Sequence, residues 1–188
     1  MKNIVVLLLK ASVVATLIFG PIFALAQSPF SQPTTERIRI DFFRIPEWIE
    51  ITKKEEIPEN IAINIVDDEQ MKIHVADFIQ DGEAIPDLMS VFKNNVNSHP
   101  TLFLIIKWHY YLPGANTEGD YYEVHAYGAT SGAGNGVASL TENKRLSEHF
   151  GSGFEGKKEG SVVHFRFKDA ASVRHDLLLI EPSRDQTP

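Results

Sequence analysis

The chain has 188 residues, and its 25 acidic against 18 basic side chains give a formal net charge of −7. Because nucleic acids and anionic membrane surfaces repel such a chain, the composition argues against both as binding partners. Cysteine is absent, which excludes disulfides, thiol chemistry and a lipid-modified cysteine.

Residues 1–26 have the parts of a cleavable signal peptide. The start is basic, residues 11–23 are apolar and uncharged, and residues 24–26 read Ala-Leu-Ala, the small-x-small pattern of a cleavage site. An uncleaved anchor is the alternative, but Lys10 inside the apolar stretch costs roughly 2.5–3.5 kcal/mol at a bilayer centre. We therefore predict a mature protein outside the cytoplasm, periplasmic or secreted, with no stable membrane insertion.

Removal of the signal peptide leaves 162 residues with a formal charge of −9. That length predicts one globular domain, which we place at 36–181 between a mobile lead, 27–35, and a loose tail, 182–188. The chain also contains no Asn-x-Ser/Thr glycosylation acceptor. Together with the absence of cysteine, this favours a bacterial envelope or secreted protein.

Period-2 alternation opens the domain and predicts strands. Residues 37–42 alternate charged and apolar side chains, and the same alternation occupies 61–65 and 71–75. The polar link 67–70 between the last two runs predicts a β-hairpin.

The segment 84–97 departs from this alternation. Its apolar residues follow the i, i+3, i+4, i+7, i+11 spacing of an amphipathic helix, which predicts one long helix packed on the sheet. Pro86 suits the first turn of that helix. The stripe comprises Ile85, Leu88, Met89, Phe92 and Val96.

Residues 101–111 and 121–127 are rich in β-branched and aromatic side chains and predict a hairpin with a long loop, 112–120. A capping-box pattern predicts a short helix over about 139–150. Further strands are predicted at 161–167 and about 174–180. The predicted fold is therefore α+β, a mainly antiparallel sheet of about seven strands with one long and one short helix.

Histidines on the predicted hairpin suggest a metal site. A turn centred near residue 117 would place His109 opposite His125, with Glu123 on the same face and Trp108 on the core face. If a strand carrying His164 adjoins this face, the four side chains would suit zinc or copper. The alternatives are a pH-sensitive or partner-binding face, or ordinary surface histidines.

A glycine-rich segment, 128–136, follows a predicted strand and precedes a predicted helix. That position suits an anion-binding loop, but the Lys-Ser/Thr pair of a P-loop and a surrounding βαβ unit are missing. A loop that is flexible or contacts a partner is the favoured interpretation.

Acidic residues concentrate in 47–69, where eight acids face two lysines. Such a surface steers and holds a basic protein, although a solvated acidic face is the simpler account. The candidate partner-binding residues are Glu55, Glu56, Glu59, Asp67, Asp68 and Glu69.

No catalytic motif is present, and the Gly-x-Ser-x-Gly elbow is missing. The leading prediction is therefore an exported, non-enzymatic protein-binding module, such as an inhibitor or an immunity-type protein. The first alternative is a metal- or small-ligand-binding protein that uses the histidine-bearing face. The second is a hydrolase whose site is assembled from distant strands.

Overall fold

Two antiparallel sheets and two short helices make up the computed structural model, which describes residues 33–43, 46–132 and 137–180. The predicted signal peptide, most of the predicted lead and the predicted tail lie outside these residues. The first strand begins at Thr34, two residues before the predicted start of the domain. Neither helix in the described ranges is long and apolar enough to cross a membrane.

The strands are β1 (Thr34–Ile40), β2 (Glu47–Lys54), β3 (Asn60–Asp67), β4 (Lys72–Ile79), β5 (Pro86–Val96), β6 (His99–Leu112), β7 (Thr117–Ser131), β8 (Val137–Glu142), β9 (Ser152–Lys158) and β10 (Ser161–Val163). The helices are α1 (Lys144–Phe150) and α2 (Ala170–Ile180), and a 3₁₀ turn occupies Pro113–Ala115.

The strands form a first sheet in the order β1-β2-β3-β4 and a second sheet in the order β10-β9-β7-β6-β5, with β8 paired to β7. All of these pairings are antiparallel. The prediction of a mainly antiparallel α+β fold, including the β3–β4 hairpin, is thereby confirmed. The described residues contain ten strands rather than about seven.

The second sheet is covered on both faces. Its inner face, represented by Leu104 and Ile106, packs against first-sheet residues such as Ile63. Its outer face, represented by Phe103 and Ile105, packs against α1 and α2. Strand β6 is therefore buried on both sides, which explains its continuous apolar run instead of an alternating one.

The predicted long helix at 84–97 is wrong, because this segment is strand β5. A bulge between Leu88 and Ser90 adds one residue, Met89, to the strand. The bulge changes which face the even-numbered residues occupy, so Leu88 packs on the inner face and Phe92 on the outer face. Two period-2 stretches joined out of phase produce the spacing that resembles a helix.

The later elements also differ from the sequence predictions. Residues 137–142 are a strand, and α1 begins only after Asn143, whose side chain accepts from the Leu146 N–H at 3.2 Å. The predicted strand at 174–180 is part of α2. Only residues 161–163 of the predicted strand 161–167 are extended, although Phe165 and Phe167 do pack inward beyond it.

Replacing Phe92 tests whether this segment is a bulged strand or a helix. The Phe92 ring stacks on Phe103 at 5.2 Å and is 5 % exposed, so we expect Phe92→Ala to lower the free energy of unfolding by about 3–5 kcal/mol. Met89 is 41 % exposed, and Met89→Ala should change it by less than about 1 kcal/mol. Denaturant melts measure both, and equal losses would indicate one buried helical stripe.

Candidate functional site

The turn between β6 and β7 determines which side chains share a face. Asn116 adopts a left-handed conformation, and its N–H donates to the Pro113 carbonyl at 3.1 Å. The turn is therefore tight, and Leu112 pairs directly with Thr117. The predicted long loop over 112–120 and the turn centre near 117 are both wrong.

This register places the predicted histidine pair on opposite faces. His109 pairs with Asp120 and lies on the outer side, whereas His125 pairs with Leu104 and faces inward, 5.0 Å from the Phe78 ring. The observed register differs by an odd number of residues from one that would pair His109 with His125. Such a shift moves the side chains of one strand to the other face of the sheet.

The four candidate metal ligands therefore do not converge. His125 and Glu123 are together, with Nε2 and Oε2 2.9 Å apart. His109 bonds Asp120 at 2.8 Å, and His164 bonds Glu155 at 3.1 Å. Within residues 33–43, 46–132 and 137–180, no group of three or more His, Cys, Asp or Glu side chains could hold a metal ion.

The predicted acidic surface is divided between the two ends of β3. Glu55, Glu56 and Glu59 lie in the β2–β3 connection, whereas Asp67 ends β3, and Asp68 and Glu69 form the following turn. Strand β3 has eight residues, so these two groups are separated by roughly 23 Å at about 3.3 Å per residue.

The first group lies beside the link between the two sheets. Backbone N–H of Gln80 donates to the Glu59 carbonyl at 2.8 Å, and the Glu59 N–H donates to the Gln80 side chain at 2.9 Å. Asp81 follows directly. The Glu55–Glu59 connection and Asp81 therefore belong to one end of the molecule.

At this end, the inner face of the second sheet contains a row with two glycines. Tyr110 on β6 pairs with Gly119 on β7, which pairs with Gly156 on β9. The Phe154 ring lies over Gly119, with a ring carbon 2.7 Å from the position that a Cβ would take. A Cβ on Gly156 would stand 2.8 Å from the Gly119 Cα. Any side chain at either position would displace its neighbours.

Larger side chains border the glycine row. On one side, Trp108 pairs with Tyr121, and Tyr121 with Phe154. The Tyr110 and Phe154 ring centroids are 6.4 Å apart. On the other side lie Leu112 and its partner Thr117. The rings of Tyr110, Tyr121 and Phe154, together with Leu112 and Thr117, border a hollow at this end of the sheet.

The first sheet does not extend over this hollow. Trp108 is still covered, and its indole N–H donates to the Ile79 carbonyl at the end of β4 at 3.1 Å. Leu112 is 49 % exposed. The result is an open cavity of about 510 Å³, within the size range of small-ligand sites. Its lining residues are Asp81, Tyr110, Leu112, Ala115, Thr117, Tyr121, Glu123, Phe154, Lys158 and Glu159.

Hydrogen bonds fix the polar groups of the cavity. The Tyr110 hydroxyl donates to Asp81 Oδ2 at 2.6 Å, and the Tyr121 hydroxyl donates to Ser152 Oγ at 2.7 Å. Burial, followed by the bond to Asp81, raises the pKa of Tyr110 above its ordinary value. The Tyr110 phenol therefore keeps its proton at neutral pH and remains a donor to Asp81.

The charge and the rings of the cavity favour a cationic ligand. Three carboxylates, on Asp81, Glu123 and Glu159, face one amine, on Lys158. The faces of aromatic rings carry negative charge and attract Lys, Arg or small-molecule cations. The sequence contains the aromatic residues and the glycines, but only the register of β6, β7 and β9 brings them together.

The outer face has different chemistry, because its charges are paired with one another. Asp120 is contacted by His109 and lies 3.8 Å from the Lys107 amine. Its cross-strand neighbour Glu155 accepts from Lys168, from His164 and from the Phe165 N–H. Those donors, Lys168 first, lower the pKa of Glu155 to about 2. These contacts fasten the segment after β10 to β9.

No family model, curated protein or solved structure matches the chain. The evidence for the candidate site is therefore its geometry alone.

Replacing Gly119 tests the glycine row. A methyl group there meets the Phe154 ring and the β9 backbone, so we expect Gly119→Ala to lower the free energy of unfolding by about 1–3 kcal/mol. Gly128 lies in the same strand with its nearest neighbour 3.9 Å from the Cβ position, and Gly128→Ala should be neutral or stabilising. Thermal melts compare the two. A tolerated Gly119→Ala would contradict the close packing of β7 against β9.

Proposed function

We propose that this chain is an exported, non-enzymatic protein-binding module that recognises a basic partner. In this proposal, one cationic side chain of the partner enters the cavity at the end of the β6–β7 hairpin. The observation that supports it is the combination of three aromatic residues and three acidic residues in the lining of one cavity.

The rings supply attraction that depends on the ligand's charge. Tyr110, Tyr121 and Phe154 line the cavity and are half-buried. A cation over such a ring gains about 0.5–1 kcal/mol at an exposed site and about 2 kcal/mol once water is removed. A bound side chain would also cover part of the exposed Leu112, which adds apolar burial.

The surrounding charge favours encounter with a basic protein. Glu55, Glu56 and Glu59 lie in the connection that is hydrogen-bonded to the Asp81 link. In our proposal they extend the negative surface of the cavity and raise the association rate with a basic partner. Asp67, Asp68 and Glu69 lie at the opposite end of β3 and contribute to this field only at long range.

The volume of the cavity also supports a second candidate function. About 510 Å³ is sufficient for a free amine of metabolite size, which would make the chain a small-ligand-binding protein. The same rings and carboxylates would bind it. A protein partner is favoured because the cavity is open and because acidic residues continue around it.

Calorimetric titration with a short synthetic basic peptide tests the proposal. Glu123→Gln removes one cavity charge and Phe154→Leu removes one ring while keeping apolar bulk. Each should weaken binding about fivefold to tenfold, or roughly 1–1.4 kcal/mol. The matched controls are Glu118→Gln and Tyr111→Leu, because both residues are exposed and lie outside the cavity lining.

The controls also define the contradicting result. If Glu118→Gln weakens binding as much as Glu123→Gln, the peptide responds only to overall negative charge. If no cavity variant has an effect, the partner binds elsewhere. A free amine that binds as tightly as the peptide would instead support the small-ligand function.

A further inference from the structure

We infer that the cationic group taken by this cavity is the guanidinium of an arginine, in preference to the ammonium of a lysine. The inference rests on the proposed function and names the partner's side chain. It comes from how two of the three carboxylates at the cavity, those of Asp81 and Glu123, are already bonded.

Each of these carboxylates has one oxygen engaged by the protein. Asp81 Oδ2 accepts from the Tyr110 hydroxyl, and Glu123 Oε2 is bonded to the His125 ring. In the part of the chain that the structure describes, the other oxygens, Oδ1 of Asp81 and Oε1 of Glu123, make no hydrogen bond to another residue of the protein. The cavity thus offers two acceptors from separate elements, the β4–β5 link and strand β7.

Two acceptors on separate carboxylates suit a guanidinium better than an ammonium. A guanidinium has five N–H groups in a rigid plane and can donate along two edges at once. An ammonium is a compact, strongly hydrated charge, which loses more hydration when it enters an aromatic cavity. The planar group can also stack on the Tyr121 or Phe154 ring while it donates to the carboxylates.

The acceptors are fixed before a ligand arrives. Asp81 lies in a tight link closed by two backbone hydrogen bonds with Ala84, both at 2.9 Å. The Tyr110 hydroxyl then orients the carboxylate. Glu123 is on the central strand of a sheet and is oriented by His125. Preorganised acceptors lower the entropy that binding costs and increase discrimination between ligands of different geometry.

Tyr110 and His125 are accordingly positioning residues. Tyr110→Phe keeps the ring and the cavity wall but removes the hydroxyl that orients Asp81. We expect this substitution to reduce the ratio of the affinity for arginine to the affinity for lysine. A merely structural role would weaken both ligands equally.

The experiment uses three otherwise identical peptides that carry arginine, lysine or citrulline at one position, titrated into the whole protein. Citrulline has the shape of arginine without its charge. We expect the arginine peptide to bind about tenfold more tightly than the lysine peptide, and citrulline binding to be lost. Tyr110→Phe should reduce the arginine-to-lysine ratio to about threefold, while the control Tyr111→Phe should leave it unchanged.

The outcomes separate the two proposals. Equal affinity for arginine and lysine, reduced for both by Glu123→Gln, would overturn the arginine inference and leave the proposed function in place. Binding of citrulline as tight as that of arginine would overturn recognition of charge. If no peptide binds while thermal melts show a folded protein, the proposed function and the arginine inference both fail.

Discussion

The register of β6 against β7 is the constraint on which the site depends. It is set by the turn at Pro113–Ala115 and by the left-handed Asn116, which together pair Leu112 with Thr117. A slip of one residue would exchange the inner and outer side chains of one strand. If β6 slipped in this way, Trp108 and Tyr110 would face the helices, and Lys107 and His109 would face the first sheet.

That register determines which side chains lie on each face of the second sheet, and the two faces have different contacts. The outer face binds α1 and α2 and pairs its surface charges internally, as Glu155 does with Lys168 and His164. The inner face packs on the first sheet until that sheet ends near Ile79. Beyond this point Tyr110, Tyr121, Phe154 and Leu112 border the cavity, whose lining also includes Asp81, Glu123 and Glu159. In our proposal the ligand binds on the inner face beyond the end of the first sheet, whereas the outer face packs on the helices.

The sequence pattern predicted those strands in which apolar and polar residues alternate without interruption. The alternation over 37–42, 61–65 and 71–75 is visible because each of these runs keeps one period, and β4 changes phase only at its bulge near Val75. Strand β5 was mistaken for a helix because the bulge at Met89 joins two alternating stretches out of phase. The cavity could not be predicted, because Tyr110, Tyr121 and Phe154 lie on three strands and meet only through two strand registers. The predicted neighbourhood of His109 and His125 depended on a hairpin register centred near residue 117, whereas the observed register places them on opposite faces of the sheet.

The most direct test is a crystal structure of the protein with a bound peptide that contains one arginine. We predict that the guanidinium lies inside the cavity at the end of the β6–β7 hairpin, stacked on Tyr121 or Phe154 and within hydrogen-bond distance of Glu123 or Asp81. An arginine ordered instead against Asp67–Glu69, or on the outer face near Asp120, would contradict it.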